Sequence, residues 1–388
     1  MQKYDIAIIG GGASGLACAV TLKKYSPELS VVIIEAGDRL GKKLAATGNG
    51  QGNLKNADMG AEHFHGSGAD FAYKLCKEYD HLQLFDCLFT TDGKGRIYPS
   101  GKQASSLSDC LIKKVVSSGV KVITSTKVMG ITKGFELSLS DGKKLNADKV
   151  VIAAGGCAQK QFNTDGNAFT LAKSLGHTVT QTYPSLVQLK CGTKYIKTLK
   201  GIRAECGVAA YEDNKLIART VGDVIFTDYG ISGNAVFYIS AYCAGRKNVT
   251  LSLEFLPSTD MAEIVSDIKR KLDLGYAKSE LLAGTLHNQI GRAIISRANT
   301  DDPKKIAELV KNFTLETNGS LGFDYAQVTK GGVPFAEIDA TLQSKSANGL
   351  YLIGEVLDVD GDCGGYNLSW AFVSGMHAAK CIVEAADD

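Results

Sequence analysis

The chain has 388 residues, 44% of them hydrophobic and 22% charged, with a formal net charge of +2. That length and balance describe a globular enzyme of two or three domains, neither a disordered chain nor a fibre. The near-neutral charge supplies no basic field for nucleic acid, and no apolar run reaches membrane-spanning length, so a small-molecule substrate is expected, with neither nucleic acid nor membrane as partner. Ten scattered cysteines without a Cys-x-x-Cys pair point to a reduced, cytoplasmic setting and to no metal site. Asp5 and the glycines that follow argue against a signal peptide.

The first segment, YDIAIIGGGASGLACAVTLKKY, predicts a strand over 5–9, a glycine turn, and a helix from Ser14 to Tyr25. Gly10, Gly12 and Gly15 fit G-x-G-x-x-G, and a second apolar strand, SVVIIE, ends in Glu35. Together they form a βαβ unit for a dinucleotide: Gly10 makes the tight turn, Gly12 admits the pyrophosphate, Gly15 lets helix and strand pack, and Glu35 takes ribose hydroxyls. NAD and FAD share this fingerprint. Next comes LAATGNGQGNLKN (44–56), with three glycines and four side-chain amides after a basic turn. It reads as a linker, a second phosphate cradle, or a polar strap over a flat cofactor.

Residues 121–153 predict a strand, a hairpin turning at Asp141-Gly142, and a strand ending in Ala154-Gly155-Gly156. Residues 186–256 alternate apolar and polar around turns near EDNK and GISG, as in an antiparallel or barrel-like sheet. Residues 258–313 switch to helical period, with Ser258, Ser279 and Asp302 as N-caps. The expected domains are 1–185 (dinucleotide-binding, first part), 186–257 (inserted β domain), 258–328 (helical subdomain and return) and 329–388 (dinucleotide-binding, C-terminal part). Near the end, strand 350–353, the turn at Gly354-Glu355, and Gly364-Gly365 opening a helix over 367–385 make another anion-facing helix terminus.

Several stretches in the right order, IIGGGASGLACA, EAGDRLGKKLAATGNGQGN, GRIYPSG, DVIFTDYGISGNAV, TKGGV and GEVLDVDGDCGGYNLSWA, make the chain similar to the BaiN and aminoacetone oxidase-type FAD-binding flavoproteins, the YhiN-like NAD(P)/FAD-dependent oxidoreductases. The resemblance covers nearly the whole chain. It implies an α/β fold: a glutathione-reductase-like Rossmann FAD domain interrupted by a β-barrel-like domain and a small helical subdomain. It also selects the strap reading for 44–56.

The cofactor-contact set implied by motif and resemblance is Gly10, Gly12, Ala13, Ser14, Gly15, Glu35, Ala36, Lys43, Thr47, Asn49, Asn53, Val128, Ala154, Gly155, Gly156, Gly354, Glu355, Gly365, Tyr366, Asn367 and Leu368. Ala154 stands where such proteins carry threonine, and Gln51-Gly52 replace an Arg-Cys pair, which raises the question whether they make room for a bulkier substrate. With no second dinucleotide fingerprint, NAD(P)H would bind transiently at the flavin or electrons would arrive otherwise. The implied activity is reduction of a conjugated C=C bond in a hydrophobic, steroid- or bile-acid-like substrate; amine oxidation and a non-catalytic flavin-binding role are the alternatives. Proton-donor candidates are Tyr366, Lys330 and Tyr229. Asp228 replaces a histidine usual in the family, so no role carries over to it. His63 and His65 read as surface-loop residues and Cys363 as a small packed one, and the sequence sets no oligomeric state.

Overall fold

A computed structural model describes residues 2–387, which divide into two compact units, 2–183 with 328–387, and 184–327. The first unit is built on a seven-stranded sheet. Strand Gln2–Ile9 lies between Val31–Ile34 and Lys144–Ile152, all parallel, and Lys121–Ile123 extends the Val31 side. The four residues of Val31–Ile34 are all buried, as expected of a β-branched run covered on both faces.

The free edge of Lys144–Ile152 is shared. Its first residues pair antiparallel with Glu136–Leu139 across the Asp141-Gly142 turn, and Val150 to Ile152 pair parallel with Leu350–Leu352. This brings the C-terminal segment to the same end of the sheet as the first glycine turn.

Helices Ala13–Tyr25 and Tyr366–Asp387 pack tightly in this unit because side chains are missing at the contact. A Cβ on Gly375 would come within 2.3 Å of the Ser14 carbonyl oxygen, and one on Gly15 within 2.0 Å of the Gly10 carbonyl oxygen. Only glycine allows either approach.

The second unit is a closed six-stranded barrel in the order Leu189–Cys191, Gly230–Ser232, Lys215–Phe226, Arg203–Glu212, Val249–Glu254 and Phe313–Ser320. The EDNK turn forms, with Asp213 and Asn214 both at positive φ, as a tight hairpin requires. A turn also forms beside GISG: the chain reverses at 227–229, and Gly230–Ser232 then pairs antiparallel with Lys215–Phe226 as a barrel strand.

Helices Met261–Asp273, Asn288–Ala298 and Pro303–Lys311 fall in the region of helical period. Their Ile264, Ile294, Ile306 and Val310 share one hydrophobic core with barrel residues such as Val208 and Leu251, and the strand after them closes the barrel. Asp302 caps as expected, accepting from Lys304 N at 3.0 Å. Ser258 and Ser279 do not cap: Asp260 and His287 occupy those positions, and His287 accepts from Gln289 N. Among the described residues no helix is long and apolar enough to cross a membrane.

One buried polar knot pins the first of these helices. Lys271 Nζ donates to Asp267 (2.7 Å), Thr285 Oγ1 (2.6 Å) and the Ala283 carbonyl (2.8 Å). Burial works to raise the Asp267 carboxyl, but hydrogen bonds from Lys271, Thr285 and Arg270 outweigh it and draw it from 3.8 to about 2. A folded value below the unfolded one gives stability that is present above pH 3.8 and lost as pH falls through about 2. The contribution is on the order of 2 kcal/mol. Lys271→Met should therefore lower the melting temperature at pH 7, with the gap to the parent narrowing below pH 3 in thermal melts followed by circular dichroism.

Candidate flavin site

At the first glycine turn, Gly10 sits at φ +105° and donates its N–H to the Ile34 carbonyl. Gly12 is the N-cap of the following helix, with no side-chain cap, and a Cβ on it would meet nothing within 4 Å. Gly12 is therefore not required by the protein's own packing; the open space beside it, at a helix N-terminus formed by Ala13, Ser14 and Gly15, has the form that suits a phosphate. Glu35 anchors the turn from the next strand, its carboxylate accepting from Gly11 N at 2.8 Å and Gly37 N at 2.6 Å. Ala36 follows Glu35 in the chain and is half-buried. Val128 is buried, and its carbonyl accepts from Asn167 Nδ2.

The C-terminal turn is tied into the same place. Gly354, at φ +72°, donates to Ser374 Oγ (3.0 Å) and accepts from the Trp370 indole (3.1 Å). Its neighbour Glu355 takes Lys43 Nζ at 3.0 Å on one oxygen and Thr329 N at 2.8 Å on the other. Thr329 Oγ1 accepts from Cys157 N, and a Cβ on Gly156 would collide with that hydroxyl at 2.4 Å. The Ala154-Gly155-Gly156 turn, the basic turn and Glu355 thus form one latch.

The strap bends through left-handed conformations at Gly48, Asn49, Gly50 and Gly52. Thr47 accepts from Gly52 N, and Asn49 is exposed. Asn53 Oδ1 is buried without a hydrogen-bond partner, an orphaned acceptor that a bound group must satisfy. Gly52 does not make room for substrate: its missing Cβ is filled by Leu107 at 2.7 Å and by Ala104. The strap's end meets the last glycine pair, for a Cβ on Gly365 would lie 2.6 Å from the Lys55 carbonyl carbon, and Asn56 Nδ2 donates to the Gly364 carbonyl. The open cradle, the unsatisfied helix N-terminus and the orphaned Asn53 oxygen all fit FAD.

The proton-donor candidates are placed differently. Tyr366 is buried, donates to the Asp58 carbonyl at 2.9 Å, and stacks on His63 at 4.4 Å. Burial, then the charges of Asp58, Asp362 and Glu62, push its phenol up. Asn367 is spent on both backbone groups of Gly361, and Leu368 packs against the core. Lys330 ends strand Val328–Lys330, whereas Tyr229 belongs to the barrel unit, where Asp228 pairs with Lys200. Burial raises the Cys363 thiol.

His63 and His65 are not loop decoration. Both are half-buried, and both bind the carboxylate of buried Asp362, at 2.9 Å from His63 Nδ1 and 2.8 Å from His65 Nε2. Strands Phe64–His65 and Asp360–Gly361 pair antiparallel, which sets the residues face to face. The sequence carries a signal for this in two alternating runs, His-Phe-His and Asp-Val-Asp-Gly-Asp, but nothing in it pairs them.

The glycines give a direct test. Gly12→Ala is expected to leave the melting temperature of the apoprotein unchanged yet weaken FAD binding at least about ten-fold by flavin-fluorescence titration. Gly15→Ala is expected to destabilise the chain itself.

The geometry agrees with comparisons to known proteins. The family model described as HI0933-like protein Rossmann domain matches residues 4–381. The 3-dehydro-bile acid delta(4,6)-reductase of Clostridium scindens is 35% identical, covering 98% of this chain and 99% of its own. The ribosomal RNA dihydrouridine synthase of Escherichia coli K12 is 25% identical with 99% of each covered. Among solved structures, a flavocytochrome c3 fumarate reductase superposes with TM-score 0.53 at 16% identity, covering 100% of this chain and 79% of that one, a likeness of fold. The chain is an FAD-dependent oxidoreductase and belongs to the HI0933-like Rossmann family.

Proposed function

We propose that the protein reduces a carbon–carbon double bond conjugated to a carbonyl in a hydrophobic, steroid-like substrate, with NAD(P)H as electron donor. The observation that carries this is the 35% identity over nearly the full length of both chains with a protein named as a bile-acid delta(4,6)-reductase. Bound FAD supplies the hydride carrier. Lys43 and Glu355, paired with each other, would hold the chain around the cofactor, the helix N-terminus at Gly12 would favour its phosphates, and Asn53 would offer an acceptor inside the strap. The positive end of the helix opening at Tyr366 would stabilise negative charge on a reduced flavin bound beside it.

The dihydrouridine synthase relative supports a second substrate by the same chemistry. Uracil also presents a C=C bond conjugated to a carbonyl, so the reaction class is common to both readings. Amine oxidation, with peroxide as product, has no such support.

Anaerobic reduction with NAD(P)H followed by a conjugated steroid dienone, a uridine-containing ribosomal RNA fragment or a small amine separates these. We expect the flavin absorbance to bleach with NAD(P)H and recover with the dienone. Recovery with the RNA alone would move the substrate assignment to uracil. Amine-dependent peroxide formation without dienone reduction would overturn the reductase reading.

A further inference from the structure

Reduction of a C=C bond consumes one proton per turnover besides the hydride, and a site closed to water must import it along fixed groups. Tyr366 is a poor entry point, because its hydroxyl is committed to the Asp58 carbonyl and burial opposes its ionisation. Beside it lies a continuous line of titratable groups. Asp58, whose side chain is 77% exposed, sits 3.6 Å from His63 Nε2. His63 Nδ1 is 2.9 Å from Asp362 Oδ2, and Asp362 Oδ1 is 2.8 Å from His65 Nε2. Asp362 itself is 3% exposed.

One atom distinguishes this line from a structural clamp. His63 Nε2 is buried and has no hydrogen-bond partner, while the other ring nitrogen is fully used. A clamp needs only Nδ1, and a buried nitrogen kept without a hydrogen-bond partner calls for a role, which proton exchange supplies. The 3.6 Å step to Asp58 is longer than a hydrogen bond and closes with rotation of that exposed carboxylate or through one water. The Asp58 backbone is fixed meanwhile, its N–H held by Asn56 Oδ1 and its carbonyl by Tyr366.

We propose that Asp58, His63, Asp362 and His65 form a proton relay from solvent to the reaction site, with Tyr366 as a positioning residue that fixes the plane of His63. The inference rests on the reductase reading above. A proton enters at Asp58, crosses the His63 ring from Nε2 to Nδ1, passes through the Asp362 carboxylate, and loads the His65 imidazole. With FAD bound and reduced, which would supply the hydride for the beta carbon, His65 is the group that delivers the proton to the carbon alpha to the carbonyl. The π bond is consumed, two C–H bonds form, and NAD(P)H, oxidised to NAD(P)+, restores the hydride. The other charged groups around the line are Glu62, Asp358, Asp360 and Lys330, the last two interacting electrostatically with each other.

The test starts from holoprotein reduced with dithionite and compares reoxidation by a conjugated steroid dienone with reoxidation by ferricyanide, which takes electrons and no proton. His63→Gln, His65→Gln and Asp362→Asn are expected to slow the dienone reaction about a hundred-fold while leaving the ferricyanide reaction as in the parent. Asp58→Asn should slow it less, since water can replace an exposed entry group. Equal slowing with both acceptors, or none with the dienone, overturns the relay. A second readout needs no turnover: nitrogen NMR of the apoprotein should show His63 and His65 titrating as a coupled pair that Asp362→Asn uncouples. Independent titrations untouched by that substitution also overturn it. Should the parent fail to reduce the dienone, the substrate reading falls and the NMR coupling decides the relay.

Discussion

Two absent methyl groups set the geometry on which the FAD-binding unit depends. Gly15 lets the first helix close onto the Gly10 carbonyl, and Gly375 lets the last helix close onto the Ser14 carbonyl. A side chain at either place would need space that backbone already occupies, and packed interiors yield little. Because the first helix starts against the middle of the last, and Gly354 lies against Ser14, the N-terminal turn and the Gly354-Glu355 turn face one volume. Ser374 and Trp370, from the helix carrying Gly375, then fix the Gly354 peptide directly.

Polar groups finish what packing begins. Lys43 and Glu355 are 312 residues apart in sequence and 3.0 Å apart in space, both partly shielded from water. Partial burial makes such a pair stronger than a surface ion pair, provided its remaining valences are met. They are: Glu355 also receives Thr329 N, and Thr329 receives Cys157 N. The basic turn, the middle glycine turn and the C-terminal turn therefore hold one another in register. An enzyme using a long cofactor needs this arrangement, because the reacting ring and the phosphates contact different parts of the chain.

Legibility followed sequence distance. The G-x-G-x-x-G turn, the Asp141-Gly142 hairpin and the Asp302 cap were readable because each depends on neighbours a few residues away. The cap expected at Ser258 moved to Asp260 because the core position of Ile264 sets where the helix begins. Whether Gly52 makes space for substrate stayed an open question in the sequence, since only the folded chain shows Leu107 filling it. His63 and His65 were misread for the same reason: their partner Asp362 lies 299 and 297 residues away, and a short strand pairing brings it in.

By itself the sequence determined that this chain binds a dinucleotide through a βαβ unit, and its ordered motifs were enough to indicate a flavin enzyme. Glycine position, strand period and the acid at a strand tip are local constraints, written in adjacent residues. The tertiary structure alone decided which acids and bases act together. It spent Asn367 on Gly361, engaged Tyr366 with Asp58, joined Lys43 to Glu355, and gave two histidines one buried carboxylate. Charge and hydrogen bonding act over a few ångströms of space, and separation along the chain says nothing of that distance until the chain has folded.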